Sequence, residues 1–208
     1  ASPRRVGGLF VHVSDMMERW KHLRSALACG RKAEEVGWHW FGDSPDLWRN
    51  YHRGQADAAR LIAPGVAGVA RLPKGARRLL DLGGSHGVFS VEFCRRNESL
   101  SAEVYDFDAA RPVAEETIRA EGMEGRVAFS RGDCLTDPIG SGYDAVVMAS
   151  LLRIIPADRV PGLIAKVRES LVPGGLAVVV DHLGHRPGSK LLRLNTDLIL
   201  LELFNALA

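Results

Sequence analysis

Residues 81–87, which read Asp-Leu-Gly-Gly-Ser-His-Gly, constrain the fold of this chain more than any other stretch. They follow the short apolar segment 78–80 and lead into residues 88–94, where apolar side chains recur at helical spacing. Glycine lets a backbone approach a ligand closely, and the first turn of a helix offers N–H groups without intrahelical partners. A strand, a glycine-rich turn and a helix in this order therefore predict a cradle for a nucleotide-like cofactor.

The spacing of these glycines does not fit the dinucleotide-binding fingerprint, in which glycines occupy the frame G-x-G-x-x-G. Counted from Gly83, the frame holds glycine, serine and valine; counted from Gly84, it holds glycine, histidine and phenylalanine. The pattern present is an acidic residue two positions before the first glycine, followed by G-G-x-x-G. The turn therefore argues against a nicotinamide dinucleotide as the ligand.

Strands and helices alternate after this turn, and a Pro-Gly-Gly sequence at 173–175 stops the last predicted helix. Several predicted strands are apolar throughout, as strands are when helices cover both faces of a parallel sheet. We therefore predict an α/β fold with a doubly wound, Rossmann-like, mostly parallel sheet. The predicted strands after the turn are 103–107, 126–130, 143–148 and 176–181, and the predicted helices are 111–121 and about 157–171.

Five polar residues lie at or just after the carboxyl ends of the predicted strands. Because these ends meet at one edge of a parallel sheet, where ligands bind, the five are candidates for a single site. Asp106 lies roughly 20 residues beyond the glycines, where a carboxylate binds the ribose of a nucleotide. The five residues are Asp81, Asp106, Asp133, Ser150 and Asp181.

Together these motifs resemble those of bacterial small-molecule O-methyltransferases, which are related to plant phenolic and polyketide-tailoring enzymes. This family belongs to the class I methyltransferases that use S-adenosyl-L-methionine (SAM). The resemblance covers roughly residues 45–205. It rests on the turn at 81–87, the strand-end Asp106, Arg126-Val127 leading to Gly132-Asp133, the strand at 143–147, and Leu-Val-Pro-Gly-Gly at 171–175.

The resemblance implies SAM as cofactor, S-adenosyl-L-homocysteine as product, and no metal. It places the glycine turn against the methionine end of SAM, Asp106 on both ribose hydroxyls, and Asp133 with the Cys134 backbone at the adenine. Each acid also has an ordinary interpretation as a turn or strand-end residue. The implied cofactor-binding residues are Asp81, Gly83, Gly84, Gly87, Asp106, Phe107, Asp133, Cys134 and Ser150.

At the expected catalytic position the sequence departs from this family. Relatives read L-H-D-W or L-H-H-F after the fourth strand, with the histidine as base, whereas residues 151–155 here read Leu-Leu-Arg-Ile-Ile. Arg153 cannot be that base, because the pKa of arginine lies above ~12, but its charge can stabilise a phenolate. Alternatively, the base is a histidine of the cluster Asp181, His182 and His185 after the fifth strand, with His182 favoured. Arg153 would otherwise only form a salt bridge with Asp158 or with a helix end. The candidate catalytic residues are Arg153, His182 and Asp181.

Residues 1–75 are predicted to form a helical, aromatic-rich extension before a SAM-binding domain at 76–208. All four tryptophans of the chain lie in this extension. Helices are expected near 13–28 and 45–70, the second starting at the N-cap Ser44. By the resemblance these helices cover the active site, and their aromatic side chains suit a flat acceptor; the alternative is that they only pack helix on helix.

Composition and charge fit a cytoplasmic enzyme. The net charge is only +2, and no run of lysine and arginine is interleaved with aromatic residues, so we expect no nucleic-acid partner. No apolar run reaches the ~18 residues that a membrane helix requires, so we expect no membrane partner. Three cysteines without a C-x-x-C spacing favour a reducing compartment and no structural metal.

The stretch 191–207 is apolar on most of its faces, whereas a surface helix carries a narrower apolar stripe. We therefore expect it to be buried and, with the aromatic extension, to build a homodimer. By the resemblance, relatives begin with a winged helix and continue beyond the fifth strand into two more strands. The sheet is thus expected to be incomplete at the C-terminus, and the chain to be a fragment.

Three functions are compatible with these observations. The favoured one is SAM-dependent O-methyl transfer to a small hydroxylated aromatic or polyketide-like acceptor. The second is a SAM-binding tailoring enzyme of the same fold that transfers no methyl group, such as a hydroxylase, decarboxylase or cyclase. The third is a truncated, non-catalytic scaffold.

Overall fold

The computed structural model of the protein describes residues 6–17, 28, 42 and 44–181. Within these described ranges, helices precede the sheet, and strands and helices then alternate. The helices are α1 (Gly7–Met17), α2 (Pro45–Val69), α3 (Val88–Arg96), α4 (Arg111–Ala120) and α5 (Val160–Ser170). The strands are β1 (Arg78–Leu82), β2 (Ser101–Asp106), β3 (Val127–Arg131), β4 (Tyr143–Ala149) and β5 (Leu171–Val180), and short 3-10 turns lie at Asp108–Ala110 and Leu152–Ile154.

The five strands form one parallel sheet in the order β3-β2-β1-β4-β5. The strand order reverses between β1 and β4, so a crevice opens beyond the carboxyl ends of the strands at that point. The predicted α/β class with a doubly wound parallel sheet is confirmed. The strands and helices predicted after the glycine turn all form, with shifts of a few residues at their ends.

The core lies on both faces of the sheet, as the uniformly apolar strands predicted. On one face Leu79, Val104 and Val147 pack against the alanine-rich side of α2 and against α3 and α4. On the other face Leu80 and Val146 pack against α5. These side chains are at most 1% exposed. Because helices cover both faces, the edge formed by the strand ends is where a ligand can enter.

The fifth strand starts earlier than the sequence predicts. Leu171 was expected to end a helix, but it pairs with Tyr143 of β4, and the next paired residue on β5 is Leu176, opposite Ala145. The intervening Pro-Gly-Gly residues bulge out of the ladder, and Gly174 adopts a φ of +79°. Proline and glycine end the helix as predicted, yet they lie within β5.

The first helix also differs from its predicted bounds of 13–28, since α1 begins at Gly7. Two glycines at the start argue against a helix, but the carboxylate of Asp57 on α2 accepts hydrogen bonds from Gly8 N (2.7 Å) and Leu9 N (3.3 Å). This acid caps the positive end of α1. The rest of the predicted segment lies outside the described residues, except for residue 28.

The second helix forms as predicted. The Ser44 hydroxyl accepts a hydrogen bond from Leu47 N (3.4 Å) at its N-terminus, and Pro45 occupies the first turn. Within the described ranges, no helix combines the length and hydropathy needed to cross a membrane.

Candidate active site

A cavity of about 470 Å³ lies at the carboxyl ends of the strands, beneath α2. Its walls come from α2, the glycine turn after β1, the ends of β2, β3 and β4, and the segment 151–156. The predicted residues that line it are Asp81, Gly83, Gly84, Asp106, Phe107, Asp133, Cys134, Ser150 and Arg153. Sequence reasoning therefore located this cavity, although it could not give its shape.

The glycine turn needs glycine for two separate reasons. Gly83 has a φ of +68°, in the left-handed region that side chains disfavour. A Cβ atom on Gly84 would lie 2.6 Å from Cγ of Asp81, so only glycine lets the turn pass over that carboxyl group. Gly87 is the N-cap of α3, and a Cβ there would meet Val104. Gly87 therefore lies on the side of the turn that faces the hydrophobic core.

Asp81 is fully buried at the end of β1. Its Oδ2 accepts hydrogen bonds from the backbone N (3.2 Å) and the hydroxyl (2.9 Å) of Ser90. Its Oδ1 is buried without a hydrogen-bond partner among the described residues. Burial raises the pKa of Asp81 to about 6, and the charge of Asp106 adds to the increase. A buried carboxylate oxygen without a partner is suited to a donor supplied by a ligand.

Asp106 ends β2 and is held by the backbone on both oxygens. Oδ2 accepts from Ser85 N (2.8 Å), and Oδ1 accepts from Phe107 N (2.7 Å). Burial raises the pKa of this carboxyl group to about 6, while the two backbone donors oppose that change. Each carboxylate oxygen has two lone pairs, so one on each remains for a diol.

The loop after β3 carries Asp133 and Cys134. Asp133 Oδ1 accepts from Leu135 N (2.8 Å), so this acid is partly occupied in shaping its own turn. Lys166 of α5 donates to the carbonyl of Cys134 (2.8 Å), which fixes the loop to the helix below it. Burial raises the pKa of the Cys134 thiol to about 11, so the thiol stays neutral.

The structure brings together two of the candidate catalytic residues. Arg153 N donates to Asp181 Oδ2 (3.2 Å), and its Nε lies 3.9 Å from Asp181 Oδ1. The Asp181 side chain is 2% exposed and that of Arg153 is 24% exposed. Ser150 precedes this segment with a φ of +57°, and its N–H donates to the carbonyl of Val180. His182 lies outside the described residues.

Three aromatic side chains of α2, those of Trp48, Tyr51 and His52, also line the cavity. The sequence did not single them out as site residues. His52 Nδ1 lies 2.7 Å from the hydroxyl of Ser85 in the glycine turn. The rings of Trp48 and His52 stack 5.7 Å apart, and Tyr51 meets His52 edge-on at 5.0 Å. Their i, i+3, i+4 spacing was the available signal, since it places all three on one side of a helix.

His86 has a structural role at the start of α3. Its Nδ1 accepts a hydrogen bond from Val88 N (3.1 Å) at the start of α3, and the side chain is buried. Burial lowers the pKa of His86 to about 3, so the ring is neutral and can accept. Among the residues that the structure describes, no group of three or more histidine, cysteine, aspartate or glutamate side chains could hold a metal ion.

The sheet is parallel, a glycine turn follows its first strand, and an acid ends its second strand. This arrangement is typical of α/β proteins that bind nucleotide-like cofactors, a class that includes the methyltransferases. The profile of the O-methyltransferase domain matches residues 20–205, and the chain belongs to this family. The human N-acetylserotonin methyltransferase, solved in complex with SAM, shares the fold with a TM-score of 0.82 at 21% identity. That match covers 97% of this chain and 60% of the human one.

The curated relatives of this chain include two methyltransferases from Streptomyces species. The 3-hydroxy-5-methyl-1-naphthoate 3-O-methyltransferase of Streptomyces sahachiroi is 33% identical over 141 residues, covering 67% of this chain and 39% of the relative. The N,N-dimethyltransferase OxyT of Streptomyces rimosus is 40% identical over 102 residues, covering 49% of this chain and 29% of the relative. The matched part of the chain therefore spans less than half the length of either relative.

Proposed function

We propose that this protein binds SAM in the cavity and transfers its methyl group to a hydroxyl oxygen of a small aromatic or polyketide-like acceptor. The observation that carries the proposal is the pair of carboxylates, the buried Asp81 and the half-buried Asp106, on either side of the glycine turn in a member of the O-methyltransferase family. SAM carries a cationic sulfonium, a cationic ammonium group, a ribose diol and an adenine. The two carboxylates are complementary to the two cationic groups and to the ribose diol.

The arrangement of the site fits SAM in detail. Asp81 Oδ1 lacks a partner among the described residues, and an ammonium group supplies the missing donor. Asp106 is already held by two backbone donors, so its remaining lone pairs are oriented for the two ribose hydroxyls. Gly84 leaves space where a side chain would strike Asp81. The loop at Asp133 and Cys134 borders the same cavity and is the proposed adenine contact.

The acceptor side of the cavity is mostly apolar. Trp48 and Tyr51 from α2 face the segment that carries Leu151, Ile154 and Ile155. Flat aromatic acceptors gain both apolar burial and ring stacking in such surroundings. The name of the Streptomyces sahachiroi relative describes O-methylation of a naphthoate, which is an acceptor of this kind.

We assign Arg153 to the acceptor rather than to proton abstraction. When bound, the cofactor would supply an electrophilic methyl group to the hydroxyl oxygen and would leave as S-adenosyl-L-homocysteine, and the hydroxyl proton would pass to a base. Arg153 cannot take that proton, but a guanidinium beside the hydroxyl lowers its pKa by stabilising the phenolate. Asp181 holds Arg153 in place. His182 remains the proposed base.

Calorimetry and product analysis test the proposal. We expect SAM to bind in preference to NADH, and Asp106→Ala to weaken SAM binding by ~2–4 kcal/mol because charge-assisted hydrogen bonds to ribose are lost. With labelled SAM and a panel of phenols and polyketides, methylated product should appear in equal amounts with S-adenosyl-L-homocysteine. Preferential NADH binding, or unchanged SAM affinity in the variant, would refute the assignment.

An amine nitrogen is a second candidate acceptor, because the stretch matched to OxyT is 40% identical and OxyT is named an N,N-dimethyltransferase. Amino analogues of each phenol in the panel distinguish the two. Methylation of the amines alone would replace the O-methyl assignment, whereas SAM binding with no methylated product would favour a tailoring enzyme that transfers no methyl group.

A further inference from the structure

His52 is a buried histidine that the proposed chemistry does not use. It lies on α2, lines the cavity, and is only 3% exposed. One ring nitrogen, Nδ1, lies 2.7 Å from the Ser85 hydroxyl. The other, Nε2, is buried and has no hydrogen-bond partner among the described residues. Buried polar groups in proteins are almost always paired, so an unpaired nitrogen bordering a cavity points to a ligand atom.

Ser85 is unusual as well, because it is a non-glycine residue with a φ of +48° in a turn rich in glycine. Side chains disfavour this conformation, and such strain concentrates at functional sites. The Ser85 backbone N–H donates to Asp106, and its hydroxyl meets His52. Ser85 therefore connects the glycine turn both to α2 and to the end of β2. A glycine in its place would keep the N–H for Asp106 but would lack the hydroxyl that meets His52.

The tautomer of His52 decides what Nε2 can bind. Burial lowers the pKa of His52 to about 4, and the nearby His12 lowers it further, so the ring carries a single N–H at neutral pH. When the Ser85 hydroxyl donates to Nδ1, that N–H is on Nε2, which then acts as a donor. Stacking on Trp48 and the edge contact with Tyr51 hold the ring in this orientation.

We propose that His52 Nε2–H binds the α-carboxylate of SAM, with Ser85 as a positioning residue that selects the donor tautomer. This rests on the proposed function, since it assumes that the cavity holds SAM. The two buried polar atoms without partners at the turn are complementary to an amino acid: Asp81 Oδ1 is an acceptor and His52 Nε2 is a donor. The Asp81 carboxyl group lies against Gly84, and the His52 ring contacts Ser85, so the two side chains flank consecutive residues of the turn.

Two ligands that differ only in the carboxylate test this assignment: SAM and decarboxylated SAM. Calorimetry on the full chain should show that the wild type binds SAM more tightly. His52→Ala should lose about 10- to 100-fold in SAM affinity, the value expected for a hydrogen bond to a charged group. Its affinity for decarboxylated SAM should not change. His52→Gln retains an N–H donor and should recover part of the preference for SAM.

Ser85→Ala tests the positioning role, because it removes the hydroxyl and leaves the imidazole. We expect a smaller loss of SAM affinity, again with no change for decarboxylated SAM. Arg53→Ala is the matched control on the same helix, since Arg53 forms an exposed ion pair with Glu116. That variant should bind both ligands as the wild type does. Thermal melting of each variant establishes that it is folded.

Equal losses for the two ligands in His52→Ala, or a wild type that does not distinguish them, would overturn the carboxylate assignment while leaving SAM as the cofactor. An unchanged SAM preference in Ser85→Ala would overturn the role of the serine. Failure of the wild type to bind either ligand would instead refute the proposed function itself.

Discussion

Asp81 and Asp106 end two neighbouring strands, and burial raises the pKa of each to about 6. Near neutral pH both are ionised, and the charge of Asp106 acts against that of Asp81. In the ligand-free protein, these two partly desolvated charges lower the free energy of unfolding. The proposed cofactor, which is cationic and carries hydroxyl donors, would offset this cost when it binds.

The sign of this effect gives a pH-dependent prediction for Asp81. A carboxyl group with a raised folded-state pKa contributes stability below its unfolded pKa of 3.8, and that contribution is lost as the pH rises through about 6. Asp81→Asn should therefore raise the free energy of unfolding of the ligand-free protein at pH 7.5, by up to about 3 kcal/mol. The gain in unfolding free energy should shrink below pH 6. The same variant should bind SAM more weakly than the wild type. Urea denaturation at several pH values, with calorimetry, measures both.

Wild-type SAM affinity should itself fall as the pH drops through about 6, because protonation removes the acceptors for the ammonium and the ribose. A less stable Asp81→Asn at pH 7.5, or a wild-type affinity that is flat from pH 5 to 8, would contradict the roles assigned to these acids.

Arg153 gives a second prediction at the scale of residues. Arg153→Ala should lower turnover on a true acceptor by ~10²–10³-fold, the usual effect of losing one charge-stabilising donor, with SAM affinity unchanged. Arg153→Lys keeps the charge and should retain more activity. If Arg153→Ala and His182→Ala both keep full turnover, neither residue carries the chemistry.

At the scale of elements, α2 joins three parts of the molecule. Its alanine side packs on the sheet core, its N-terminal half faces the cavity, and Gly54 allows α1 to approach closely. Asp57 completes this contact by capping α1. The helix predicted as a cover for the site is thus also a part of the core, so the orientation of its aromatic side chains depends on packing on two sides.

Two glycines of α2 offer a matched test of this packing. A Cβ at Gly54 would lie 2.6 Å from Cβ of His12, whereas a Cβ at Gly65 would meet nothing within 4 Å. Gly54→Ala should destabilise the protein by ~1–3 kcal/mol through overpacking. Gly65→Ala should stabilise it by up to ~1 kcal/mol through helix propensity. Denaturant unfolding compares them, and equal effects would show that α1 does not pack here as described.

At the scale of the whole molecule, the parallel sheet gathers its strand ends at one edge, and the family's cofactor turn lies there. The homodimer expected from the sequence stays a prediction. Phe10 and Met17 on α1 are 72% and 66% exposed, and the segment 191–207 is apolar. Exposed apolar side chains such as Phe10 and Met17 favour association. Light scattering at micromolar concentration should report a mass twice that of one chain; a monomer would contradict the prediction.

Much of the fold and most of the cavity could be predicted because their signals are local. The glycine turn, the apolar strands and the strand-end acids each occupy a few consecutive residues, and a parallel sheet brings all strand ends to one edge. The early start of β5 could not be predicted in this way, since a Pro-Gly-Gly bulge is indistinguishable from a simple helix stop until Leu171 pairs with Tyr143.

The sequence by itself determined the α/β class, the glycine turn and the acids at the strand ends. Only the tertiary structure decided that Arg153 pairs with Asp181, 28 residues away, that His52 meets Ser85 across 33 residues, and that Asp57 caps a helix 49 residues before it. The physical reason is that each of these contacts joins elements whose distance is set by packing of the whole core. No local pattern of residues encodes that distance.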